Sequence, residues 1–132
     1  MDLSNLNLAV QAEAGYSFNV KHPVTEEELD GVITVRGDES KVVRAFERRK
    51  ASEYMKKYNK DKNFIPTPAE NDDWNVESAI CRVISWKNIE LEGQEISFTK
   101  ENADRVFREY PWLAKQVTEA SANLLNFQPS GT

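Results

Sequence analysis

The chain is sparing with the side chains that usually do chemistry. His22 is the only histidine and Cys81 the only cysteine of 132 residues, so a Ser-His or Cys-His mechanism would have to run through one of them. His22 stands in Lys-His-Pro, where the ring reads as a turn residue with satisfied hydrogen bonds and has no evident catalytic partner. Cys81 falls beside an apolar helical stripe, where a thiol behaves as a small hydrophobe rather than a nucleophile. One cysteine closes no internal disulfide, and no partner stands at metal-site spacing. The five glycines are scattered singly, which leaves neither a phosphate-cradling loop nor a dinucleotide fingerprint. Glu26-Glu27-Glu28 and Asn71-Asp72-Asp73 lack the spaced ligands and glycine of a calcium loop, and read as a solvated turn and a helix cap. These residues point away from an enzyme, and no catalytic group, cofactor or metal is expected.

What remains is the chemistry of contact. Trp74, Trp86, Trp112 and several tyrosines are of the types enriched at interface cores. Trp86 is expected in the domain's own core, and Trp112, just after Tyr110-Pro111, is the best candidate for an exposed anchor. Charge is distributed in blocks: residues 1–40 carry two basic and eight acidic side chains, 41–62 nine and three, and 63–132 six and eleven, which leaves −6, +6 and −5. Such a pattern suits a solvated helix face, a phosphate footprint, or assembly of copies of one chain through unlike patches. The candidate protein-binding residues are Tyr16, Phe18, Arg48, Arg49, Tyr54, Lys56, Trp112, Leu124 and Phe127.

The elements that must position these residues follow from periodicity. Residues 1–14 have no sustained period and read as a flexible or loosely docked arm. Tyr16, Phe18 and Val20 alternate with Ser17, Asn19 and Lys21 in the rhythm of a half-buried strand, and Val32-Ile33-Thr34-Val35 makes a second. The two form a hairpin, with Pro23 ending the first strand and Asp30-Gly31 supplying the turn. An amphipathic basic helix follows at 40–59, with Val43, Phe46, Tyr54 and Tyr58 on its inner stripe. Residues 61–73 then read as a long connection, because they hold two prolines and a cluster of caps. Val76, Ala79, Ile80, Val83 and Ile84 recur at helical spacing and predict a second helix with a continuous core face. Gly93 marks a turn between short extended pieces. Thr99 caps a third helix at 100–109, and Pro111 opens a fourth that reaches about residue 126.

The expected fold is α+β and predominantly α, an N-terminal β-hairpin followed by about four helices. A single domain spans 15–127, with a loose tail at 128–132. A lone two-stranded ribbon is barely stable, so this hairpin must pack on helices or on another subunit. No stretch approaches the length that spans a bilayer, and the first residues lack the basic and apolar regions of an export signal.

Two stretches taken together resemble the tail assembly chaperones of long-tailed, siphovirus-type bacteriophages. They are His22-Pro23-Val24-Thr25, ahead of a charged helix, and the run from Trp86 through Gly93, Ile96-Ser97-Phe98-Thr99-Lys100-Glu101-Asn102 and Pro111-Trp112-Leu113. Their order and spacing cover about residues 16–127. The Glu26-Glu27-Glu28 turn departs from the pattern, which has a glycine soon after the threonine. The resemblance implies a non-enzymatic protein of the host cytoplasm, not expected in the mature virion. It would coat the tape measure protein, help recruit major tail tube subunits, and self-associate, with no membrane or nucleic-acid partner. The alternative is a small nucleic-acid-binding regulator that sets Arg44, Arg48, Arg49, Lys56 and Lys57 against phosphates.

Overall fold

The computed structural model describes residues 1–129. Strands β1 (Tyr16–Lys21) and β2 (Glu28–Val35) pair antiparallel as the expected hairpin, with Phe18 opposite Ile33 and Tyr16 opposite Val35. Alternation does what the sequence asks of it: Val20, Ile33 and Val35 are buried, while Ser17, Asn19 and Lys21 face out. The turn lies earlier than expected, because Asp30 and Gly31 are strand residues of β2. His22 builds it instead. Its Nδ1 accepts from the backbone N–H groups of Val24 (3.1 Å) and Thr25 (3.2 Å), its carbonyl accepts from Glu26, and its own N–H donates to Glu27. An imidazole engaged this way holds a tight turn over Pro23, Val24 and Thr25 that needs no glycine.

The hairpin packs within its own chain, on helices and on a third strand, β3 (Val83–Lys87), which lies antiparallel to β2 and sets Trp86 opposite Ile33. The third strand corrects the sequence reading, which carried the second helix through Val83 and Ile84. That helix ends at Arg82, and the residue just after β2 explains the stop. Arg36 Nη1 donates to the carbonyls of Cys81 (2.9 Å) and Val83 (3.0 Å), and the Arg36 N–H donates to Arg82 O (2.7 Å). Carbonyls left open at a helix C-terminus are thus satisfied by a cation and a strand edge.

Helix α1 (Ala9–Ala14) follows a 3₁₀ turn at Leu3–Leu6, and the charged helix α2 spans Lys41–Lys60 from a Ser40 cap. Helix α3 (Pro68–Arg82) begins earlier than expected. Thr67 and Glu70 form a reciprocal capping box with Pro68 in the first turn, which outcompetes the Asn71–Asp73 caps and shortens the connection to residues 61–67. A small hairpin, β4 (Glu90–Leu91) and β5 (Gln94–Glu95), turns through Glu92 and Gly93, both at positive φ (52° and 78°). Helices α4 (Lys100–Glu109) and α5 (Pro111–Ala122) start at Thr99 and Pro111 as the caps predict. A closing 3₁₀ turn occupies Leu124–Phe127.

Helices α3, α4 and α5 cover the inner face of the three-stranded sheet, and Phe107, Val106, Val117, Ile33 and Val35 form the centre of the core. Trp86 joins it as expected, edge-on to Phe98 (5.1 Å) and Phe107 (6.2 Å), with its indole N–H donating to Ile96 O. The architecture is α+β, with the hairpin near the N-terminus and the helices following. The expected arm, 1–14, contains α1 and the preceding turn, and Ala12 is buried. Of the expected tail, residues 130–132 lie outside the described residues.

Candidate interaction surfaces

Three surfaces collect the residues whose chemistry suits contact. At the first, α1 and the closing 3₁₀ turn meet at Gly37. A side chain there would stand 2.9 Å from Ala12 Cβ and 3.2 Å from Phe127 Cδ1, so only glycine lets α1 and the final 3₁₀ turn close on the end of β2. Tyr16 packs edge-on against Phe127 at 6.2 Å. Phe127 is only 2% exposed and therefore serves the core; as a candidate contact residue it is corrected, because the 3₁₀ turn swings it inward. The same turn leaves Leu124 and Leu125 outside, 54% and 73% exposed, and α1 leaves Val10 67% exposed. Leu3 and Leu6 are exposed as well. Leu3, Leu6 and Val10 repeat at helical spacing, a signal present in the sequence but hidden by the polar residues between them. This terminal pole is apolar and wet.

The second surface is an open groove of about 250 Å3 where the end of the sheet meets the junction of α4 and α5. Val20, Leu29, Ile89, Leu91, Tyr110 and Trp112 supply its apolar lining, and Asp30 and Glu90 stand at its edge. Trp112 is half-buried and edge-on to Tyr110 at 6.4 Å, so the expected anchor is a groove wall. Phe18 is packed against the core and only partly accessible.

The third is α2. Val43 and Phe46 are buried, Tyr54 and Tyr58 half-buried, and Tyr54 also meets Phe64 at 5.6 Å. Tyr54, Phe64 and Trp74 line a narrow cleft between α2 and α3, flanked by the ion pairs Lys50–Glu77 and Lys57–Glu70 (2.8 Å). Hydrogen bonding to Glu77 holds Lys50 above its ordinary pKa, and the Lys57 ammonium with the Thr67 N–H holds Glu70 below the usual carboxylate range. Arg48, Arg49 and Lys56 are exposed, as expected of contact residues. Arg49 is drawn to Glu53 and over the Phe46 ring, whereas Arg44, Arg48, Lys56 and Lys60 make no ion pair among the described residues.

A polar knot centred on buried Arg82 lies where α2, α3 and α5 meet. Arg82, 6% exposed, donates to Asp38 (3.1 Å), Glu47 (2.9 Å) and both oxygens of Ser78, while the single proton of Ser121 Oγ is shared between two acceptors, Arg36 O (2.6 Å) and Asp38 Oδ1 (2.8 Å). Burial opposes the Arg82 charge, but Glu47 and Asp38 outweigh it and keep its pKa above arginine's ordinary value. The knot fixes the start of α2 against the ends of α3 and α5. Sequence reasoning missed it, since its members lie far apart in the chain. Beside it Cys81 is partly buried, donates to Ser78 O, and has its pKa raised by burial, which suits packing rather than attack.

No helix among the described residues is long and apolar enough to cross a membrane. No curated protein and no solved structure matches the chain. Residues 34–131 match the model of the YdaY prophage protein family, a stretch from the last two residues of β2 onward that takes in α2, the knot and the groove's helical wall, and leaves out the His22 turn. With well over half of its length matched, the chain belongs to the YdaY prophage protein family and is phage-derived.

Proposed function

We propose that this phage protein is a tail assembly chaperone, a non-enzymatic binder that coats the tape measure protein in the host cytoplasm and helps recruit tail tube subunits. The observation that carries the reading is the terminal pole. Val10, Leu124 and Leu125 are more than half exposed on a chain that has an ample core, and a wet apolar surface of this kind marks a protein contact. A long, apolar, helical partner is the chemistry that would cover it. Two further observations agree: the chain is phage-derived, and the motifs by which it resembles the chaperones occur in their order. Here those motifs serve architecture, with His22 closing a turn, Thr99 and Pro111 starting helices, and Trp86 in the core.

In this reading the protein also self-associates, and its tasks require no cofactor, metal or catalytic group. Replacing Leu124 and Leu125 with Ser should leave the fold intact, because both point outward, and should abolish retention of the phage's tape measure protein in the soluble fraction on co-expression. Unchanged retention would overturn the role of the pole. The cations of α2 that lack ion pairs keep a second reading open, phosphate binding by a regulator. It predicts a mobility shift of DNA or RNA at low salt that disappears steeply as salt rises.

A further inference from the structure

The outer face of α2 has a composition that its inner face does not explain. Ala45, Arg48, Ser52, Met55 and Asn59 recur at steps of three and four, and all are exposed. Small residues at 45 and 52 allow another backbone to come close, Met55 offers an adaptable apolar side chain, and Arg44, Arg48 and Lys56 surround it with charge that no carboxylate of an ion pair neutralises among the described residues. A phosphate surface would have no use for the methionine. A protein surface would.

The opposite charge stands at the Tyr110–Trp112 groove. Asp30 and Glu90 line it, and Glu26, Glu27, Glu28 and Glu92 lie on the same strand ends and turns. None of these six makes an ion pair among the described residues. The groove floor is apolar and matches a methionine in kind. Helix α2 packs on α3 and contributes nothing to the groove, so a copy cannot join the two surfaces within itself without unfolding.

We infer that the outer face of α2 of one copy docks on the acidic rim of the groove of a second copy, with Met55 over the apolar floor and Arg48 and Lys56 against Asp30 and Glu90. This deepens the self-association in the chaperone reading and rests on that reading only there. Because the two surfaces differ, the contact is head-to-tail, and repeating it gives an open array or a ring rather than a two-fold dimer. The terminal pole takes no part and stays free along the array. Unlike charges bring the surfaces together and set their register.

Sedimentation velocity of the full chain tests this. The native protein should assemble with rising concentration at low salt and dissociate at about 0.5 M salt, where screening reaches within a few Å. The variant Arg48→Glu/Lys56→Glu and the variant Asp30→Lys/Glu90→Lys should each need roughly tenfold more protein or beyond to assemble. Mixed one to one, the two should assemble again, since each groove then meets an α2 of opposite sign. All four positions are on the surface, and circular dichroism checks that both variants fold. A native chain that stays monomeric, assembly unmoved by both reversals, no recovery on mixing, or assembly that vanishes on nuclease treatment would each overturn the inference. The same variants, tested for tape measure retention, separate the two proposals: retention by monomeric variants leaves the chaperone reading standing, whereas a native array that retains no tape measure protein sinks that reading and spares the array.

Discussion

Helices α2 and α5 are both amphipathic in sequence, yet they are held by different forces. The 12 residues of α5 bury Leu113, Ala114, Val117 and Ser121, and contact both strands of the hairpin and α3. The 20 residues of α2 bury Val43 and Phe46 alone, and the second half rests on α3 through half-buried tyrosines and ion pairs. A helix fixed by burial offers little beyond its first turn, where Trp112 walls the groove. One fixed at its start and along one flank keeps a whole charged face for other chains, and the knot around Arg82 is what fixes that start.

The largest effects should come from the buried side. Replacing Phe107 with Ala removes the ring that Trp86 meets edge-on and should cost about 3–5 kcal/mol, read as a lower urea midpoint for the whole domain. Replacing Arg82 with Ala should come next. Breaking a wholly buried ion pair costs about 3–5 kcal/mol, but Asp38 and Glu47 are partly exposed and regain water, so on the order of 2 kcal/mol is expected. Hydrogen exchange should then show the start of α2 opening before α5. Protection in both helices unchanged from the native chain would remove the knot from the account.

Smaller changes should touch α2 and its seat. Loss of the Thr67 cap by Thr67→Ala should cost about 1 kcal/mol, measured by urea unfolding. The α2–α3 flank should also respond to pH at both ends. Glu70 is lowered by Lys57 and the Thr67 N–H, so its contribution is present above the ordinary carboxylate pKa of about 4.3 and is lost as pH falls through the lower folded value. Lys50 is raised by Glu77, so its contribution is full below about 10.4 and is lost as pH rises past the higher folded value. Amide protection factors in the second half of α2, taken relative to the intrinsic exchange rate at each pH, should therefore be highest between these limits and lower in salt, with α5 unaffected. Equal sensitivity in the two helices would erase the distinction between them.

Much of this architecture was legible in the residues because it depends on local chemistry. Thr99 and Pro111 mark the starts of α4 and α5, Gly93 marks its turn, and Tyr16-Phe18-Val20 alternates as a strand. Strand β3 was not legible, since Val83 and Ile84 continue the helical period of Val76, Ala79 and Ile80, and the group that stops the helix is Arg36, far away in the chain just after β2. Phe127 fits the apolar rhythm of α5, but the local 3₁₀ winding and the space left by Gly37 turn it inward. The groove could not be read either, as its walls and acidic edge come from separate stretches that only the fold brings together. Charge was visible in blocks from the start, and the structure refines it to one uncommitted face of α2 and one acidic groove.

We propose that this phage-derived chain, with its wet apolar pole, keeps a long helical partner soluble. Co-expression of the native protein with the tape measure protein of its phage, followed by affinity capture of the long chain from the soluble fraction, measures this directly. A soluble complex with many copies of this protein on each tape measure chain is expected. A tape measure protein that remains insoluble, or that is captured soluble without this protein attached, would contradict it.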